Sequence, residues 1–70
     1  MEYLVIIEKT DHNYSAYLPD MPGCAATGAT KDEVLKNLKK ALILHLEGLK
    51  EDGLPIPEPA AQSSYVSAPL

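Results

Sequence analysis

Between residues 31 and 52 the chain repeats apolar side chains at helical spacing, and this constrains everything else. With about 100° of rotation per residue, Val34, Leu35, Leu38, Ala41, Leu42, His45, Leu46 and Leu49 fall on one broad stripe. Lys36, Lys39, Lys40, Glu47 and Lys50 take the other side. Thr30-Lys31-Asp32-Glu33 is a capping box: the Thr30 hydroxyl can accept from the N–H of residue 33, and the Glu33 carboxylate can reach back to the N–H of residue 30. Asp32 precedes Lys36 at the favourable acid-before-base spacing. Gly53 supplies a stop that accepts a left-handed conformation. Such a helix is about 33 Å long and cannot bury its stripe alone. In a chain of 70 residues the rest must supply one sheet to receive it.

The remaining residues read as strands. Residues 2–9 are apolar on both faces, with Tyr3, Val5 and Ile7 on one and Leu4 and Ile6 on the other. A strand with one wet face would alternate, so this strand is expected to be central. Thr10-Asp11-His12-Asn13 is a polar turn, after which residues 14–18 alternate as an antiparallel second strand. Pro19-Asp20-Met21-Pro22-Gly23 breaks the ladder. Residues 24–29 form a weaker third strand, poor in strand formers. Leu54-Pro55-Ile56-Pro57-Glu58-Pro59 is extended and stiff. It leads to a last short strand over residues 63–68, expected to return parallel to the first by a right-handed crossover. The expectation is a single α+β domain over residues 1–70, β-β-β-α-β, with a four-stranded mixed sheet and the helix (residues 31–52) on one face. No separate DNA-binding domain is expected.

Composition removes several function classes. Lys and Arg total 6 against 10 Asp and Glu, a net charge of −4, which disfavours nucleic-acid binding through a basic patch. A hydrophobic content of 46% excludes an intrinsically disordered chain. One cysteine excludes an internal disulfide or a zinc site built on several cysteines. The longest apolar run, from Ala41 to Leu44, is far below the roughly 20 residues of a membrane span. Met1-Glu2-Tyr3 lacks the positive start of a signal peptide, so a cytoplasmic location is expected.

The chemistry-bearing residues are sparse. Glu8, Asp11 and Asp20 could be imagined as a carboxylate cluster for a hydrolase, but solvated turn carboxylates are the plainer reading. Cys24 follows a glycine at a strand start and reads as a small buried residue. His12 lies in a turn and His45 among leucines, and neither is linked to Cys24 by a motif. No phosphate loop and no metal-ligand spacing occur. No catalytic residue, metal or cofactor is expected.

Three motifs then carry a resemblance. Tyr14-Ser15-Ala16-Tyr17-Leu18-Pro19-Asp20-Met21-Pro22-Gly23-Cys24 is followed by Thr27-Gly28-Ala29-Thr30-Lys31-Asp32-Glu33, and the helix by Gly53-Leu54-Pro55-Ile56-Pro57. This pattern resembles the HicB family, the antitoxins of HicA–HicB toxin–antitoxin pairs. The resemblance implies a partial RNase-H-like fold without the RNase H active site, and the first strand is apolar where a metal-binding aspartate would stand. It implies a binding protein, not an enzyme, that blocks a HicA-type mRNA-cleaving ribonuclease. Two other readings are a degenerate RNase-H-like hydrolase and a stand-alone oligomerisation module.

The expected partner-binding residues are Tyr14, Tyr17, Pro19, Asp20, Met21, Pro22 and Gly23, a proline-stiffened loop flanked by rings suited to interfaces. Asp20 is expected to cap its own turn. Ile43 points almost opposite the helix stripe and Leu44 sideways. Both are expected to contact another subunit in a homo-oligomer.

Overall fold

The computed structural model describes residues 1–70. Three strands, β1 (Ile6–Lys9), β2 (Tyr14–Tyr17) and β3 (Ala25–Gly28), precede one helix, α1 (Lys31–Glu51). They form an antiparallel meander in the order β1-β2-β3. Ile6 stands opposite Tyr17 and Ile7 opposite Ala16; Tyr17 faces Ala25 and Ala16 faces Ala26. Residues directly opposite share a face, so these pairs sort the sheet into two sides. Ile7, Ala16 and Ala26 look towards the helix, and Ile6, Tyr17 and Ala25 look away.

The helix begins as its capping box dictates. Thr30 is extended (φ −131°, ψ 165°), and its hydroxyl accepts from the Glu33 N–H at 3.1 Å. The Glu33 carboxylate accepts from Ala29 at 3.2 Å, one residue earlier than the box predicts. The C-terminus closes with Gly53 at φ +67°. There the Gly53 N–H donates to Lys50 at 3.2 Å and the Leu54 N–H to Leu49 at 2.9 Å. This pair of bonds satisfies carbonyls a helix end leaves open.

Ala16, Leu18, Met21, Cys24, Val34 and Leu38 form the core, with Tyr3, Val5, Ile7, Leu42 and Leu46 packed around it. The helix lies over β3 and β2. Its first turn presses on Gly28, where an added Cβ would stand 2.6 Å from the Val34 nitrogen. Backbone approaching this closely requires glycine. Asn37 ties the helix to β3 by donating to the Thr27 carbonyl at 2.8 Å.

Two expectations are corrected. Residues 63–68 form no strand, so the sheet has three strands and not four. The central strand is β2, and β1 is an edge. Apolar residues on both faces of residues 2–9 report that both faces want cover, not that the strand has two neighbours. The four-residue turn before β2 and the closed proline loop after it join sequential strands as antiparallel neighbours, which puts β2 in the middle whatever the side chains are. The fourth strand offers mainly Tyr65 and Val66 to bury, a small return against about 1–2 kcal/mol per residue of ordering.

After Leu54 the chain runs extended back across the domain. It is held at two places: the Tyr3 hydroxyl donates to the Pro57 carbonyl at 2.6 Å, and Asp20 receives the Ala60 and Ala61 N–H groups. Beyond them, every residue from 62 to 70 is exposed. The radius of gyration is 14.0 Å, against about 11 Å for a compact domain of this length.

Candidate partner-binding face

The side of the sheet away from the helix carries no second layer. Its first row is Ile6, Tyr17 and Ala25, and its second is Glu8, Ser15 and Thr27. Tyr17 is 43% exposed. Ile6 is half-buried and Ala25 exposed. An apolar row with an acidic and hydroxyl-bearing border is the composition of an interface centre with a polar rim.

At one end of this face stands the proline loop, and its shape is set by three backbone hydrogen bonds. Met21 N–H donates to Leu18 at 3.1 Å, Cys24 N–H to Met21 at 3.1 Å, and Leu18 N–H to Cys24 at 3.2 Å. The second turn, Met21-Pro22-Gly23-Cys24, has proline at its second position and glycine at φ +84° at its third, the type II arrangement. The loop is therefore rigid before any partner arrives.

The expected partner residues divide. Pro19, Pro22 and Gly23 are exposed and Tyr17 points out. Tyr14 is half-buried on the helix side, with the Lys9 ammonium 6.0 Å from its ring centre. Met21 is 1% exposed, a core residue beneath the loop. Asp20 does not cap its own turn. Its carboxylate accepts the Ala60 N–H at 3.1 Å and the Ala61 N–H at 3.0 Å. Sequence reading could place Asp20 in a tight turn but could not name partners forty residues away. It placed His45 on the helix stripe but not against the loop, where its ring lies 4.0 Å from where a Cβ of Gly23 would stand.

The carboxylate trio of the hydrolase reading is not brought together. Glu8 lies on the open face and Asp11 in the β1–β2 turn, whereas Asp20 lies past the other end of β2. No three acidic, histidine or cysteine side chains converge. Cys24 is buried, and desolvation pushes its thiol above its usual pKa, which keeps it protonated and a poor nucleophile. Ile43 and Leu44 are 47% and 68% exposed on the outer side of the helix. No helix is long and apolar enough to cross a membrane.

Comparison with known proteins agrees with this layout. The family model described as a HicB_like antitoxin of bacterial toxin-antitoxin systems matches residues 3–69. An uncharacterised 14.9 kDa protein of Haemophilus phage HP1 is 36% identical over 69 residues; the match takes in 99% of this chain but only 52% of the phage protein. This chain thus spans about half the length of that relative. A UPF0150 protein of Thermoplasma acidophilum is 39% identical over 97% of this chain and 100% of its own length. Among solved structures, a chain of the HicA3 and HicB3 toxin-antitoxin complex superposes with a TM-score of 0.72 at 35% identity, over 86% of this chain and 70% of that one. With the three-stranded meander, the rigid proline loop and the capped helix all in place, the chain belongs to the HicB-like antitoxin family of bacterial toxin–antitoxin systems.

Proposed function

We propose that this chain is an antitoxin-type binding protein that neutralises a HicA-type, mRNA-cleaving ribonuclease by covering it directly. The observation that carries the reading is the uncovered row Ile6–Tyr17–Ala25 running up to a proline loop locked by its own backbone hydrogen bonds. A surface rigid before binding loses little entropy on association. A protein with no catalytic constellation can inhibit only by occupying its target. The net charge of −4 suits a partner that binds RNA and is therefore basic.

In this reading Tyr17, Pro19, Pro22 and Gly23 meet the toxin. Met21 supports them from below, Asp20 ties the returning chain to the loop, and Tyr14 closes the helix side of β2. The β-β-β-α order is the part of an RNase-H-like layout that such a binding role retains, and the site of action is the cytoplasm, where messenger RNA is. No cofactor enters the mechanism, and DNA contact falls outside it.

The test is co-expression with a small basic HicA-type ribonuclease, taken from a neighbouring reading frame of about 60 to 80 residues where one is found. The wild-type chain restores growth. A partly exposed tyrosine at an interface centre is worth about 2 kcal/mol or more, so Tyr17→Ala weakens binding by about 30-fold while circular dichroism is unchanged. If the wild-type chain neither binds nor rescues, the antitoxin reading fails. If a folded Tyr17→Ala protein binds as tightly as wild type, the toxin is met on another surface.

A further inference from the structure

The two edges of the sheet are treated differently. β3 is tied to the helix through Asn37 and Thr27. β1 pairs with β2 on one side and has no strand on its outer edge. A cleft of about 530 Å3 runs along it instead, lined by the apolar side chains of residues 4–7, by Lys9, Tyr14 and Lys31, and by Ser63, Ser64 and Tyr65. No backbone hydrogen bond crosses from residues 63–70 to β1, and the only one in that stretch joins Leu70 to Ala68. An open strand edge beside apolar side chains invites another strand.

The chain carries a segment suited to that edge. Residues 62–70 form an arm in which Tyr65, Val66 and Leu70 are 101%, 94% and 115% exposed, as much as in an unfolded chain. The arm already passes its own β1 and buries nothing there. Its root explains why: Asp20 holds Ala60 and Ala61, Tyr3 holds Pro57, and alternating prolines at 55, 57 and 59 stiffen the approach. With the root pinned, the arm stands across the cleft from β1 and not against it.

We propose that two copies of this chain exchange arms, residues 63–68 of each adding a fourth strand to the β1 edge of the other. Each copy is then donor and acceptor, a closed two-fold arrangement. Tyr65 fills the cleft beside Leu4 and Ile6, and the alternate side chain, Val66, lies on the other side of the new strand. The area suffices. A tyrosine buries about 150–250 Å2, so two arms, with the equal areas they cover, remove at least about 600 Å2 through Tyr65 alone. Val66, Ala68, Pro69 and Leu70 carry the total past the roughly 1,000 Å2 that a specific interface needs. The inference concerns self-association and holds or fails without the toxin.

Sedimentation of the full chain at about 100 μM, well above the micromolar Kd at the weak end of specific interfaces, tests it. The wild type sediments at twice its 7.6 kDa mass. Tyr65→Asp with Val66→Asp halves that mass with circular dichroism unchanged, and the edge variant Ile6→Asp does the same. Leu4→Asp, outside the ladder, replaces Ile6→Asp if that protein unfolds. Ile43→Lys with Leu44→Lys leaves the dimer in place. A monomeric wild type, a dimeric arm variant, a dimeric edge variant, or a helix variant that dissociates each overturns the exchange.

Discussion

Two segments of this chain are rich in proline, and they do opposite things. Residues 19–23 turn back on themselves: three backbone hydrogen bonds close the loop, and Met21 enters the core at 1% exposure. Residues 55–59 make no backbone hydrogen bond of their own. They lie extended, with Ile56 and Pro57 half-buried and the Tyr3 hydroxyl as their anchor. Proline stiffens both, so stiffness does not decide the role. The first has an apolar side chain between its prolines that the core can swallow, and a glycine that takes the turn. The second spaces its prolines by single residues and cannot fold back. Asp20 joins the two, since it sits in the loop and grips the chain just past the extended segment.

That contrast can be broken most forcefully at the apolar residues. Met21→Ala removes a fully buried side chain and is expected to cost about 2–5 kcal/mol. For a domain this small, that lowers the melting temperature by at least about 8 °C. Ile56→Ala, in the extended segment, is expected to cost less than about 1 kcal/mol. Equal losses in thermal melts would mean that the extended segment is as much part of the core as the loop is.

A smaller effect sharpens the link between the segments. Asp20→Ala leaves the Ala60 and Ala61 N–H groups without their acceptor. These bonds are partly exposed, so the global cost is about 1 kcal/mol or less. The local effect is larger in kind: amide exchange at Ala60 and Ala61 rises about tenfold, while the amides of Met21 and Cys24 keep their protection. If those loop amides also speed up, Asp20 holds the loop and not the tail.

The smallest expected change is at Tyr3. Tyr3→Phe removes one side-chain bond to Pro57, about 0.5–1 kcal/mol. It should alter the chemical shifts of residues 55–59 and leave those of residues 19–23 in place. A change confined to the loop would contradict the anchoring described above.

Most local structure was legible in the residues. The capping box, the apolar stripe and Gly53 place α1 within one residue at its end. The alternation at residues 14–18 correctly sends Tyr17 outward and Ala16 inward. Gly28, weak as a strand former, sits where the helix comes too close for any Cβ. The candidate site was less legible. Met21 looks like a loop tip because prolines flank it, and only the core behind the loop makes it a buried residue. Asp20 has the chemistry of a turn cap, yet its acceptor oxygens are taken by backbone that returns through the helix and the extended segment.

The sequence by itself determined the elements whose causes lie within a few residues: the helix with its caps, the polar turn at Thr10–Asn13, and the proline break. Each rests on periodicity or on hydrogen bonds between near neighbours. The tertiary structure alone decided the strand order, the loss of a fourth strand, the burial of Met21 and the partners of Asp20. Those depend on which groups meet across long stretches of chain, and on whether the apolar area gained outweighs the entropy of ordering them. For residues 63–68 of a single chain it does not, and the β1 edge stays open.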